Sequence, residues 1–294
     1  MSVPARIGGF ALLLAVLFGA AGLAGGAIDP APRAGDEGDH ESGAAAHGAG
    51  GAEDAAHETE GHGEAAKPVR GLAVADGGLQ LSVADPELRR GRRERLRFTI
   101  LDESGAPVRE FDVAHEKRMH LIVVRRDLAG FQHLHPTQAA DGSWETPIQV
   151  ADAGSYRVFA DFTRDGEAQT LASDLRVDGD ADLAPLPSPA ASAVSDGGYD
   201  VRLDAGDARA GEESELRFSI TRDGEPVRTE PYLGAGGHLV ALREGDLAFL
   251  HVHPSDGGVA FAATFPSAGR YRLFLQFQHE GRVQTVAFTQ EVGR

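Results

Sequence analysis

Cysteine is absent from this chain of 294 residues. Disulfides, iron–sulfur clusters, thiolate zinc sites and blue-copper sites are therefore excluded, as is a lipid anchor on an N-terminal cysteine. Methionine is nearly absent too, because Met1 and Met119 are the only two, and this gives little support to the thioether-rich chemistry of Cu(I) carriers. Any metal ion would have to be held by nitrogen and oxygen atoms.

Positive charge is also scarce. The chain carries 28 lysine and arginine residues against 45 aspartate and glutamate residues, for a formal net charge of -17. Nucleic acids and anionic membrane surfaces bind proteins through a positive face, so the composition argues against both and favours cations. The length suffices for about two domains, each able to bury a core of its own.

The N-terminal residues 1–29 contain a long apolar run. Arg6 precedes an uncharged stretch from Ile7 to Ile28. The stretch is long enough to span a bilayer, which takes about 20 apolar residues, but the small residues at its end equally suit a signal-peptide cleavage site. We expect either a transmembrane anchor or a removed signal peptide. In both cases the rest of the chain is predicted to be extracytoplasmic, membrane-anchored or secreted.

Residues 30–68 have the composition of a disordered linker. They are rich in alanine, glycine and acidic residues and contain no aromatic residue, so they lack the side chains that build a core. The linker also carries His40, His47, His57 and His62. Its composition is compatible with a solvated tether and with a weak collector of divalent metal ions.

The remainder of the chain is an internal duplication. The segment LRFTI at residues 96–100 returns as LRFSI at residues 216–220, and HLHP returns as HVHP. AGSYRVF and AGRYRLF place a tyrosine at a strand entry, as the tyrosine corner of Ig-like domains does. Short apolar runs separated by glycine, aspartate and proline indicate an all-β sandwich in each copy. We therefore predict two tandem Ig-like β-sandwich domains, at residues 69–178 and 194–294, joined by a proline-rich, semi-rigid connector at 179–193.

Each copy contains three histidines in the spacing H-x12-H-x-H. They are His120, His133 and His135 in the first copy, and His238, His251 and His253 in the second. The residues between them predict a hairpin, and pairs whose numbers sum to 253 or 255 would lie opposite each other in the first copy. In either of these registers the three imidazoles converge, whereas a shift by one residue would put the first histidine on the other face.

Three neutral imidazoles with one open position suit Cu(II) or Zn(II), and copper binds more tightly by the Irving–Williams order. We therefore predict six metal ligands in two sites, for copper first and zinc as the alternative. A structural pair of ring donors is the other interpretation of such a motif. Asp161 and Gln276 occupy matching positions and could orient a ligand imidazole. His115 and His279 have no counterpart in the other copy and are expected to be surface residues.

The segments MHLIVVRRDLAGFQHLHP, ADAGSYRVFADF and PYLGAGGHLVALREGDLAFLHVHP resemble an uncharacterised family of exported actinobacterial proteins with tandem Ig-like domains. The resemblance covers most of the chain beyond residue 70 and implies heavy-metal or copper handling. Each half is also similar to YtkA-like and CopC-like sandwiches, which implies copper binding by analogy alone. The resemblance implies no catalytic residues.

The predicted function is non-enzymatic binding or buffering of a divalent transition metal, most of all copper, outside the cytoplasm. A metal transporter or another envelope protein would be the partner. The alternative is a structural or interaction module of the cell envelope with no metal. Catalysis is not expected, because superoxide dismutase chemistry needs a second histidine cluster with a bridging ligand, and the sequence offers none.

Overall fold

The computed structural model describes residues 69–250, 252–255 and 258–294, with the side chain of His253 outside the description. The predictions for the leader at 1–29 and the linker at 30–68 lie outside the described residues, as does His251. Every regular element in the described part is a β-strand. No helix long and apolar enough to cross a bilayer occurs among the described residues.

The first sandwich consists of two five-stranded sheets. Their strand orders are β1-β2-β4-β8-β7 and β3-β10-β9-β5-β6. The strands are β1 Ala75–Asp76, β2 Leu79–Val83, β3 Glu87–Leu88, β4 Arg93–Leu101, β5 His120–Arg125, β6 Gln132–Leu134, β7 Thr137–Gln138, β8 Trp144–Gln149, β9 Gly154–Arg164 and β10 Glu167–Val177.

The second sandwich repeats this plan. One sheet has the order β11-β12-β13-β18-β17, with β14 paired to β13, and the other has the order β16-β15-β19-β20. The strands are β11 Ser192–Val194, β12 Asp200–Asp204, β13 Glu213–Arg222, β14 Glu225–Pro226, β15 His238–Arg243, β16 Phe249–Leu250, β17 His253–Pro254, β18 Val259–Thr264, β19 Gly269–His279 and β20 Arg282–Val292.

The fold class predicted from the sequence is confirmed: the described chain is two tandem Ig-like β-sandwiches. The tyrosine of each copy is buried, and its hydroxyl donates to a backbone carbonyl four residues upstream. Tyr156 bonds Asp152 at 2.9 Å and Tyr271 bonds Ser267 at 2.9 Å. This is the tyrosine corner that the repeated AG-x-Y segments predicted.

The two sandwiches share a third apolar core between them. Strand β5 is buried on both faces, and its Ile122 and Val124 pack with Val240 and Leu242 of β15 in this cluster. Phe131 of the first sandwich stacks on Phe274 of the second, with ring centroids 4.1 Å apart and an angle of 7° between the ring planes. The remaining buried members are Leu128, Phe159, Ala172, Leu247, Phe249 and Phe274. The tandem domains are therefore docked face to face.

The connector also lies against the sandwiches. Leu186 packs on the shared core, and the backbone N–H of Ala184 donates to the Asp127 carboxylate at 3.0 Å. This part of the predicted semi-rigid connector is therefore packed against the sandwiches.

The segment before β1 joins the two sandwiches by a backbone hydrogen bond. The Phe249 N–H donates to the Arg70 carbonyl at 3.0 Å, and the Gly71 N–H donates to the Thr170 carbonyl at 3.2 Å. The guanidinium of Arg157 donates to the Gly71 carbonyl, at 3.2 Å from its closer nitrogen. The segment is thus fixed to the first sandwich and touches the second.

Candidate functional site

The first histidine triplet lies on the hairpin of β5 and β6. Observed pairs such as Leu121 with Leu134 and Ile122 with His133 have numbers that sum to 255, which is one of the two registers that bring the histidines together. Leu134 packs against the core of the first sandwich. The histidines therefore lie on the opposite face of the hairpin, together with Ile122, and this face is turned toward the second sandwich.

The three imidazoles converge as predicted. His120, His133 and His135 each offer a ring nitrogen, and these nitrogens lie within 4.8 Å of one another. The closest pair is His120 Nδ1 and His133 Nε2, at 3.0 Å. His120 is only 3% exposed, and the other two are half-buried. We call these three residues the histidine triad.

Burial makes the triad neutral at physiological pH. Desolvation lowers the pKa of His120 to about 4. Desolvation, with repulsion from His120 and His135, lowers the pKa of His133 to about 3, and desolvation with repulsion from Lys117 lowers that of His135 to about 4. Neutral imidazoles each keep one nitrogen lone pair, which is the form that binds metal ions.

Hydrogen bonds determine which nitrogens keep their lone pairs. His120 Nε2 lies 3.1 Å from the Ala114 carbonyl, and His133 Nδ1 lies 2.7 Å from Oε1 of Gln276. With the Gln276 amide in this orientation both partners are acceptors, so each of these two ring nitrogens carries the proton. The remaining lone pairs, on His120 Nδ1 and His133 Nε2, then face each other across 3.0 Å. Such an arrangement is repulsive without a cation between them.

The orientation of the Gln276 amide controls this tautomer. Its Nε2 donates to Thr285 Oγ1 at 3.1 Å, which leaves Oε1 toward His133. The reverse orientation would put a proton on His133 Nε2 and complete a hydrogen-bond chain without metal. The two orientations therefore correspond to metal-binding and metal-free arrangements of the same residues.

The third member of the triad, His135, has a buried ring nitrogen that makes no hydrogen bond to the described residues. This nitrogen is Nε2. Its ring lies 4.7 Å from the His133 ring and 5.2 Å from the His120 ring. A buried imidazole nitrogen without a partner is costly, and a shared cation would remove that cost. The donor set and spacing thus fit a nitrogen-bound divalent metal ion.

His115 is not the surface residue that the sequence indicated. It is half-buried, and its ring centroid is 6.1 Å from that of His120 and 5.7 Å from that of His238. The chain turns back here because Ala114 and Lys117 exchange backbone hydrogen bonds. This turn brings the ring beside the triad. His279 is also half-buried, with its Nδ1 2.8 Å from the Tyr199 hydroxyl; no sequence pattern marked either position.

The second triplet is described in part. His238 begins β15, and its ring stacks on the rings of the first triad. Desolvation, followed by repulsion from His133, lowers the pKa of His238 well below its usual value. His251 and the side chain of His253 lie outside the description, so a second, equivalent metal site stays a prediction. The two triplets are not independent, because His238 contacts the first one.

The matching residues Asp161 and Gln276 lie opposite the first histidine of each copy. The pairs are His120 with Asp161 and His238 with Gln276. Gln276 contacts an imidazole as predicted, but the ring belongs to the other sandwich. Asp161 accepts a hydrogen bond from Thr170 Oγ1 at 2.7 Å, and desolvation raises the pKa of this carboxyl.

A family model described as "Domain of unknown function (DUF8832)" matches residues 73–179 and again residues 192–294. No curated protein matches the chain. Among solved structures the chain is similar to the Escherichia coli adhesin FdeC, at 17% identity and a TM-score of 0.27, over 76% of this chain and 66% of that one. It is also similar to Salmonella alpha-2-macroglobulin, at 16% identity and a TM-score of 0.28, over 76% of this chain and 15% of that one.

The chain thus spans about two thirds of the adhesin structure and a small part of the macroglobulin. A chimeric titin Z1Z2 tandem is similar at 15% identity and a TM-score of 0.20, over 72% of this chain and 95% of that one. Likenesses at these TM-scores carry no argument about function.

Proposed function

This chain belongs to the family described as a domain of unknown function, DUF8832, and carries that domain twice; we propose that the two copies act as one structural and interaction module of the cell envelope. The observation that carries the proposal is the apolar core between the sandwiches. A shared core of this kind makes a tandem pair a single rigid unit, whereas a smaller polar contact would leave the domains to move independently.

Cooperative unfolding tests this proposal. In differential scanning calorimetry both sandwiches are expected to unfold in one transition. Val240→Glu places a charge in the shared core, where Val240 is 1% exposed, and should split the transition in two. Val283→Glu is the matched control, because Val283 is 43% exposed, and should leave one transition. Two independent transitions in the unchanged protein would contradict the proposal.

The second proposed function is the binding of a divalent transition metal by the histidine triad, with no catalytic role. It is supported by the two lone pairs that face each other across 3.0 Å. Two imidazole nitrogens bound at about 2.0–2.1 Å to one ion lie at a similar separation. Cu(II) is the preferred ion and Zn(II) the alternative, because the available donors are nitrogens and copper leads the affinity order. An envelope protein or metal transporter would exchange the ion.

Isothermal titration with Cu(II) and Zn(II) tests the metal proposal. The linker histidines must first be removed, in a background variant that contains His40→Ala, His47→Ala, His57→Ala and His62→Ala. We expect one tight equivalent at the triad, lost in His133→Ala and retained in His279→Ala, whose ring bonds Tyr199 instead. Equal binding by the background and His133→Ala variants would refute the triad as the site.

A further inference from the structure

The second sandwich covers the histidine triad with an imidazole of its own. The His238 ring lies 4.8 Å from the His133 ring at an interplanar angle of 28°. It also lies 5.5 Å from the His120 ring at 7°. Both values describe stacked rings. A side chain of β15 is therefore packed directly on two of the three proposed ligands.

The second sandwich also orients one of the ligands. Gln276 is 7% exposed, and its amide is held from behind by Thr285, the residue opposite it on β20. Its Oε1 lies 2.7 Å from His133 Nδ1. In this orientation the amide accepts the Nδ1 proton of His133 and leaves the Nε2 lone pair of that ring facing His120. Partners of this kind set the tautomer and orientation of metal-bound histidines.

The equivalent position in the first sandwich shows how the arrangement is built. Asp161 lies opposite Thr170, as Gln276 lies opposite Thr285, and each polar side chain bonds its threonine hydroxyl, at 2.7 Å and 3.1 Å. The second sandwich has the longer amide side chain at this position. Its oxygen accepts a hydrogen bond from the imidazole of the neighbouring sandwich, while its nitrogen donates to the threonine hydroxyl.

We infer that the metal site is composite: the first sandwich supplies the three ligand nitrogens, and the second supplies the amide that positions His133. The inference rests on the proposed metal function. The contact between Gln276 and His133 exists only when the sandwiches are docked, so only the docked form holds His133 in the tautomer that keeps its Nε2 lone pair for a metal ion. An ion that binds one of two states stabilises that state, and the coupling is reciprocal. The bound ion is an interdomain clamp.

Variants of Gln276 test its positioning role in the linker-histidine background. Gln276→Leu puts an apolar side chain of similar size in place of the amide and so removes the acceptor. It should weaken Cu(II) and Zn(II) binding by about 10- to 100-fold, the usual effect of losing such a partner. Gln276→Glu keeps an acceptor for the His133 N–H and should retain the affinity. Gln278→Leu is the matched control on the same strand, because Gln278 bonds Glu230 instead.

Hydrogen exchange tests the clamp. The Phe249 N–H donates to the Arg70 carbonyl of the first sandwich, so its exchange rate reports docking. One equivalent of Zn(II) should slow exchange at Phe249 in the background protein and leave it unchanged in Gln276→Leu. The Leu203 N–H, which bonds Ala191 near the far sheet of the second sandwich, should not respond in either protein.

The outcomes separate the inference from the function on which it rests. Metal binding that is equally tight in the background and Gln276→Leu proteins would overturn the composite site and leave the triad as a metal site of the first sandwich alone. Unchanged exchange at Phe249 on Zn(II) binding would overturn the clamp. An absence of triad binding in the background protein would overturn both the metal function and this inference.

Discussion

Replacement of Gly71 by alanine should destabilise the docked pair more than any ordinary glycine replacement. Gly71 has φ +70°, where alanine costs about 1–2 kcal/mol. A Cβ atom there would also lie 2.7 Å from Phe249 Cβ and 2.9 Å from the Phe159 ring. Forcing such an atom into a packed core costs typically about 1–3 kcal/mol. Together these effects predict a loss of roughly 2–5 kcal/mol in the free energy of unfolding.

Gly91 provides the matched control. It has the same φ of +70°, but a Cβ atom there would meet nothing within 4 Å, so Gly91→Ala should lose only the backbone contribution of about 1–2 kcal/mol. Thermal unfolding followed by circular dichroism measures both, at about 2–4 °C per kcal/mol for a protein of this size. Equal melting temperatures for the two variants would refute the close packing of residue 71 against the second sandwich.

Two further predictions concern charge. Arg125 and Asp127 form an ion pair in which both side chains are 7% exposed. Asp127→Ala should lower the free energy of unfolding by about 3–5 kcal/mol, because it leaves a buried guanidinium without its carboxylate. Asp246→Ala removes the more exposed equivalent pair and should cost about 1 kcal/mol or less; urea denaturation measures both. The metal-free protein should also lose stability as the pH falls from about 6.5 toward 3–4. Burial lowers the pKa of the triad histidines below the unfolded value. Between about pH 6.5 and 3–4 the unfolded chain therefore binds protons that the folded triad does not, and this favours unfolding. A pH titration of the melting temperature with no decrease in that window would contradict the buried neutral triad.

The face of the hairpin that carries the histidines could be predicted from the sequence because side chains alternate along a strand, although the sequence left two registers open. His133 and His135 flank Leu134, and one apolar residue between two polar ones determines which face enters the core. The same pattern gave the convergence of the first triplet and the fold class. Both are local consequences of residue order, and neither requires knowledge of the other domain.

The docking of the two sandwiches was missed, although a signal for it exists. Residues 121–124 read LIVV without alternation, as do residues 239–242, which read LVAL. A strand that is apolar on both faces is buried on both, and the second face needs a partner that a single sandwich does not supply. The contact from Gln276 to His133 was also beyond prediction, because it depends on how two separate sheets lie against each other. His115 was missed since its position depends on a turn with φ +49° at that residue.

A crystal structure of the linker-histidine background protein with one equivalent of Cu(II), with anomalous scattering recorded at the copper edge, tests the account most directly. We expect one strong peak bounded by His120 Nδ1, His133 Nε2 and a nitrogen of His135, with the Gln276 oxygen still on His133 Nδ1. A peak elsewhere, or a reversed Gln276 amide with a proton between the two facing nitrogens and no metal, would contradict it.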